Sequence, residues 1–153
     1  MNFTYTNLDK FVRYSLGENA HFSNAFYDGD YSLTLDQAQE KKYRFVADQL
    51  RITKDSRVLD LGCGGASSSI FLRKEFGVQV WAVDLSADPT ANAARIQEAG
   101  LADGIFPLRC DARALPFASN YFDAVTAIDN FFYYGTDDLY LDYLARFVKP
   151  EGQ

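Results

Sequence analysis

The sequence predicts an α/β fold built on a mostly parallel sheet, and three observations predict it. From Arg57 onward, short apolar runs alternate with segments of helical periodicity, the pattern of βαβ units. The first apolar run, "RVLDL", opens into the glycine-rich "GCGGASSS", and such a turn is where open α/β sheets bind nucleotides. The chain has 153 residues, 48% of them hydrophobic and 24% charged, so it can bury one core and has ordinary globular composition.

The elements follow in order. Residues 1–50 read as mostly helical. In "TLDQAQEKKYRFVADQL", Leu35, Ala38, Tyr43, Val46, Ala47 and Leu50 recur at helical spacing, and Thr34 or Asp36 can cap the start. "TKDS" turns the chain into the first strand. "SSSIFLRKEFG" reads as a helix closed by Gly77, "VQVWAVD" as the second strand, and "DPTANAARIQEAG" as a helix closed by Gly100. "IFPLRC" and "YFDAVTAID" are the third and fourth strands. "DDLYLDYLARFV" is a helix stopped by Lys149-Pro150. The division expected is a helical lid segment over 1–50 and a ligand-binding domain over 51–153.

The glycine turn admits two ligand classes. A dinucleotide fingerprint needs G-x-G-x-x-G, and "GCGGAS" puts Ser67 where the third glycine belongs. Asp60 stands two residues before Gly62; a fixed negative charge there opposes a pyrophosphate and suits a ligand carrying an ammonium group.

"VLDLGCGGA" resembles the first motif of class I S-adenosylmethionine-dependent methyltransferases. "WAVDLS" resembles their second strand with its terminal acid, Asp84, 20 residues beyond Gly64. "CDARALPFASNYFDAV" and "LARFVKPEGQ" resemble the later strand and helix regions, so the likeness covers Arg57 to Gln153. "YSLTLDQAQEKK" is similar, over a shorter stretch, to the cyclopropane-fatty-acid-synthase-like branch. The resemblance implies a Rossmann-like three-layer sandwich with sheet order 3-2-1-4-5-7-6. Because the sequence stops just after the turn before the fifth strand, the sheet is expected to be truncated there.

The resemblance also implies the roles. Asp60 would meet the methionine ammonium, directly or through water. Gly62, Cys63 and Gly64 would pass under the cofactor, S-adenosylmethionine. Asp84 would accept both ribose hydroxyls and Leu85 would pack on the adenine. Asp111 would accept the adenine amino group and the Ala112 N–H would reach a ring nitrogen. Ile128 and Asp129 would face the methyl-donor end. Structural alternatives stay open for the acids: a helix-dipole partner at Asp60, a turn cap at Asp84, a turn residue at Asp111, a solvated strand end at Asp129. Cys63 reads as a small loop filler and Cys110 as a buried strand thiol. His21, the one histidine, reads as structural.

The expected function is methyl transfer to a small-molecule or lipid acceptor. The alternatives are a non-catalytic binding module for S-adenosylmethionine or S-adenosylhomocysteine, and a nicotinamide-dependent oxidoreductase. Catalytic candidates are Asp129, Tyr133 and Tyr134, since "DNFFYYG" follows the fourth strand, where an acceptor enters and where aromatics can surround a cationic amine or an apolar tail. With one His and two separated Cys, no metal site is expected. A net charge of -6 argues against nucleic acid as partner. No apolar run suggests a membrane span or a leader, so a cytoplasmic protein is expected. A sheet that ended at "YFDAVTAID" would leave an open edge, and self-association through it is expected.

Overall fold

The computed structural model describes Phe11, residues 23–134 and residues 138–153. Its elements are α1 (Leu35–Gln49), β1 (Arg57–Leu61), α2 (Ser67–Phe76), β2 (Gln79–Asp84), α3 (Pro89–Glu98), β3 (Ile105–Arg109), β4 (Ala124–Thr126), a 3-10 turn (Phe131–Tyr133) and α4 (Asp138–Ala145). The four strands form one parallel sheet in the order β3-β2-β1-β4, the first part of the expected order.

Burial on both faces follows from the apolar strands. In β1, Val58 packs with Leu72, Val80, Ile96 and Ala124 on one face. Leu59 and Leu61 pack with Val83, Phe122, Leu144 and Phe147 on the other. The two-residue period puts Asp60 on the Val58 face, toward α2. Helix starts and stops follow local chemistry. Thr34, not Asp36, caps α1, in a reciprocal box with Gln37. Asp88 caps α3 by accepting from the Thr90 N–H, and Gly77 closes α2.

Three expectations need correcting. Residues 23–34 are not helical but run through bends and turns; the helical reading of residues 1–22 lies outside the described residues, apart from Phe11, and so does His21. "YFDAVTAID" supplies only three sheet residues, because Asp123 turns its N–H and carboxylate to the Arg57 backbone and Asp129 takes a positive φ of 60°. Cys110 is half-buried and lies just past β3, where its thiol faces the Asp111 and Ala114 carbonyls.

Among the described residues β4 is the outer strand on its side. Gln153 begins to pair with it: the Val125 N–H donates to the Gln153 carbonyl at 3.0 Å, and the Gln153 N–H to the Asp123 carbonyl at 2.9 Å. A cavity of about 420 Å³ runs along the rest of that edge, between Val125–Asp129 and the α1 residues Lys42, Phe45 and Val46. A second, of about 310 Å³, lies at the start of β4 beside Lys149 and Gly152. Neither touches the glycine turn.

Candidate functional site

Parallel register brings the carboxyl ends of the strands to one rim, where the glycine turn meets the loops after β2 and β4. Beneath the turn, Asp60 is only 1% exposed. Its carboxylate accepts from the Ser68 and Ser69 hydroxyls, both at 2.6 Å, and from the Thr126 hydroxyl at 3.0 Å. Burial raises its pKa above the usual carboxylate range against the pull of these hydroxyls. Asp60 thus ties β1, α2 and β4 together beneath the loop.

The backbone of the turn is held from several sides. The Gly62 and Cys63 N–H groups donate to the Val83 carbonyl at 2.7 and 3.1 Å. The Asn92 side chain donates to the Gly64 carbonyl at 2.8 Å, and Arg95 donates to the Gly65 carbonyl. The Asn130 side chain donates to the Leu61 and Gly62 carbonyls at 2.7 and 2.9 Å. Asp84, at the end of β2, accepts from the Gly64 N–H at 3.0 Å and from the Ser86 and Ala87 N–H groups at 2.7 and 2.8 Å. Held by donors and acceptors from β2, α3 and the loop after β4, the backbone of this turn is tied down on several sides.

Gly62 and Gly64 have different reasons to be glycine. Both have positive φ, 64° at Gly62 and 51° at Gly64. A side chain on Gly62 would strike Asn130 Nδ2 and the Tyr134 hydroxyl, each 2.4 Å from the Cβ position. A side chain on Gly64 would meet nothing within 4 Å. Gly62 therefore makes room for the β4 loop, and Gly64 faces open space that a ligand can enter.

The other candidates lie around this centre. Leu85 is 53% exposed beside Asp84. The Cys110 N–H donates to the Asp84 carbonyl at 3.1 Å, which joins the β3 end to the β2 end. Asp111 is clasped by Arg113 through contacts of 3.0 and 2.8 Å; these hydrogen bonds hold its pKa at about 2. Ala112 is buried against the α4 cluster. The Cys63 thiol is pushed well above its ordinary pKa by burial and by the Asp60 and Asp84 charges, which suits a loop filler and not a nucleophile. Ile128 and Asp129 line the cavity along β4. Asp129 accepts from the Ser23 hydroxyl and the Asn24 N–H, both at 2.8 Å, and pairs with Lys42. Burial would raise its pKa, but these three donors outweigh it and hold the carboxyl below the usual range. Tyr133 is 68% exposed, its ring tilted at 42° to that of Phe132, while Tyr134 turns inward over Gly62. Among the described residues no three His, Cys, Asp or Glu side chains gather as a metal site.

Sequence reasoning missed Asn92, Arg95 and Asn130. Asn92 and Arg95 stand three apart on α3, so a shared polar helix face was the signal that could have found them. Asn130 left none, because its partners are 68 and 69 residues away. The Lys42 pairing with Asp129 was equally hidden, across 87 residues.

Residues 58–152 match a family described as "Methyltransferase domain". Methyltransferase GfsG from Streptomyces halstedii is 25% identical over 151 residues, which take in 97% of this chain and 54% of that protein. The cyclopropane-fatty-acyl-phospholipid synthase of Escherichia coli strain K12 is 29% identical over 147 residues, 95% of this chain and 34% of that protein. The crystal structure of coclaurine N-methyltransferase, bound to N-methylheliamine and SAH, shares the fold with a TM-score of 0.77 at 20% identity; it covers 94% of this chain and 41% of that one. The chain spans about half or less of the length of these relatives.

Proposed function

We propose a function from one fact: this chain belongs to the methyltransferase-domain family. The function is S-adenosylmethionine-dependent methyl transfer to a small-molecule or lipid acceptor, and this chain carries the cofactor-binding part. The observation that supports it most is the pairing of Gly64 with Asp84: open space over the glycine, and a carboxylate beside it already oriented by three N–H groups. The donor set fits that cofactor. Asp84 can accept from two ribose hydroxyls, and the exposed Leu85 offers an apolar platform for adenine. Asp111 and the Ala112 N–H would address the adenine edge. Ile128 and Asp129 would lie near the methyl-donor end. Asp60, buried under three hydroxyls, would act on the methionine ammonium through its field.

When bound, S-adenosylmethionine supplies a methyl group that its sulfonium has already made electrophilic. The protein's part is alignment and exclusion of water. Asp129 is committed to Ser23, Asn24 and Lys42 and is not a free base. That commitment favours an acceptor that is already nucleophilic, such as an amine or an alkene. Phe132 and Tyr133, 66% and 68% exposed, would line its entrance. The same commitment supports a second reading, a non-catalytic binder of S-adenosylmethionine or S-adenosylhomocysteine. The contact of Ser23 and Asn24 with Asp129 supports residues 1–50 as a lid over the methyl-donor end. No helix among the described residues is long and apolar enough to cross a membrane, and we place the protein in the cytoplasm. A polypeptide of these 153 residues alone would self-associate through the β4 edge.

Calorimetric titration with S-adenosylmethionine and with NAD tests the cofactor: binding of the first alone is expected, and binding of NAD alone would overturn the reading. A methyl-transfer screen over amines, quinones, phenols and unsaturated lipids then separates enzyme from binder.

A further inference from the structure

The turn after β3 carries Asp111 and the Ala112 N–H, and it is secured at both ends. At its entry the Cys110 N–H donates to the Asp84 carbonyl at 3.1 Å. Within it the Ala114 N–H closes back on the Asp111 carbonyl at 2.9 Å. At its exit the Leu115 N–H donates to the Tyr143 hydroxyl at 2.7 Å. Tyr143 belongs to α4, 28 residues farther along the chain. One helical turn earlier the buried Tyr140 donates its hydroxyl to the Ala112 carbonyl, over a longer 3.4 Å. Residues three apart share a helix face, so α4 presents two phenols to this one turn.

Packing alone does not ask for the two oxygen atoms. The Tyr143 ring meets Phe147 edge-on with centroids 5.1 Å apart and stacks near Tyr140 at 6.0 Å. Ala112, Leu115, Tyr140, Leu144 and Phe147 form one buried cluster, and Tyr143 packs against it. Phenylalanine would supply the same rings. A phenol hydroxyl turned into such a cluster costs free energy unless it is hydrogen-bonded, so its partners show what it is there to hold. Both partners are backbone groups of the turn that carries Asp111. Leu115 is only 8% exposed, so its N–H has little water to turn to if the Tyr143 oxygen is removed.

We propose that Tyr143, seconded by Tyr140, is a positioning residue for adenine recognition, fixing where the Asp111 turn stands against the end of β2. The proposal rests on the adenine roles given to Asp111 and the Ala112 N–H. Neither tyrosine touches the ligand. The Arg113 clasp orients the Asp111 carboxylate within the turn, whereas the Tyr143 hydroxyl anchors the turn to α4.

The test compares two ligands on the full chain by calorimetry. One is S-adenosylhomocysteine. The other is S-inosylhomocysteine, in which a carbonyl replaces the amino group and the neighbouring ring nitrogen carries a proton. Both adenine contacts are thereby reversed, so wild type should prefer the adenine ligand by at least about tenfold. Tyr143→Phe keeps the ring, removes the anchor and should cut that preference several-fold. Tyr140→Phe, which loses the longer contact, should cut it less. A variant that is merely less stable weakens both ligands alike and keeps the wild-type ratio. An unchanged ratio in both variants, with wild type still discriminating, would overturn this assignment alone. Should Tyr143→Phe fail to fold, an unchanged ratio in Tyr140→Phe does the same. Wild type that binds the two ligands equally would overturn the adenine roles of Asp111 and Ala112 and this proposal with them. Wild type that binds neither would overturn the cofactor reading itself.

Discussion

Gly62→Ala and Gly64→Ala are the same chemical change two residues apart, and the structure predicts opposite consequences. At Gly62 the new methyl group must displace Asn130 and Tyr134 from 2.4 Å. Tyr134 can swing aside, but Asn130 then loses its hydrogen bonds to the Leu61 and Gly62 carbonyls. Each is worth about 1 kcal/mol, and an alanine at a φ of 64° costs about 1 kcal/mol more. The loss is roughly 3 kcal/mol, which lowers Tm by roughly 6–12 °C in a chain of this size. At Gly64 the methyl group meets nothing, so only the backbone term of about 1 kcal/mol remains and Tm falls by roughly 2–4 °C. The same methyl group, however, stands in the space reserved for the ligand, so S-adenosylmethionine affinity should fall by at least about tenfold, or 1.4 kcal/mol. Thermal unfolding and calorimetry on the two variants decide the matter. Equal Tm losses, or a Gly64→Ala variant that binds S-adenosylmethionine as wild type does, would refute the distinction between a packing glycine and a ligand glycine.

Asp84→Ala removes two charge-assisted hydrogen bonds to the ribose and should lower affinity by at least roughly tenfold while the protein stays folded; unchanged affinity by calorimetry would remove Asp84 from the site. The carboxyl of Asp129 is held below the usual range, so its contacts contribute stability above the unfolded pKa, and that contribution is lost as pH falls through the folded value. Lys42→Met removes one of its donors and should move the loss of exchange protection at the Asn24 amide to higher pH; an unmoved profile contradicts the lid contact. A polypeptide of these 153 residues should self-associate through β4, and light scattering that finds a thermally robust monomer would show that edge to be covered.

Local signals made the first half of the site legible. "VLDLGCGG" marked a strand entering a ligand turn, and an acid 20 residues beyond Gly64 marked the next strand end, because both features come from backbone geometry within one βαβ unit. The helix caps were legible for the same reason: Thr34 with Gln37 is a three-residue pattern. The reach of β4 was not. Nine residues have strand character, but pairing depends on neighbours, and only Ala124–Thr126 enter the sheet. Nor was the second half of the site. The work done by Asn130, and the capture of Asp129 by Lys42, depend on contacts 68 to 87 residues apart that no local pattern encodes. Asp60 was legible as a special residue, but its partners were not: alternation turns it inward toward α2, to the hydroxyls.

That inward carboxylate has a consequence for how the sequence can drift. Asp60, Ser68, Ser69 and Thr126 satisfy one another, so an apolar residue in place of Asp60 leaves the Ser68 and Ser69 hydroxyls without that acceptor, and one in place of a hydroxyl takes a donor from the buried carboxylate. An all-apolar version of the quartet is a sound core, but every single-step path to it crosses a destabilised intermediate. The four positions are epistatic: they should be inherited together or replaced together, and double substitutions among them should be far from additive.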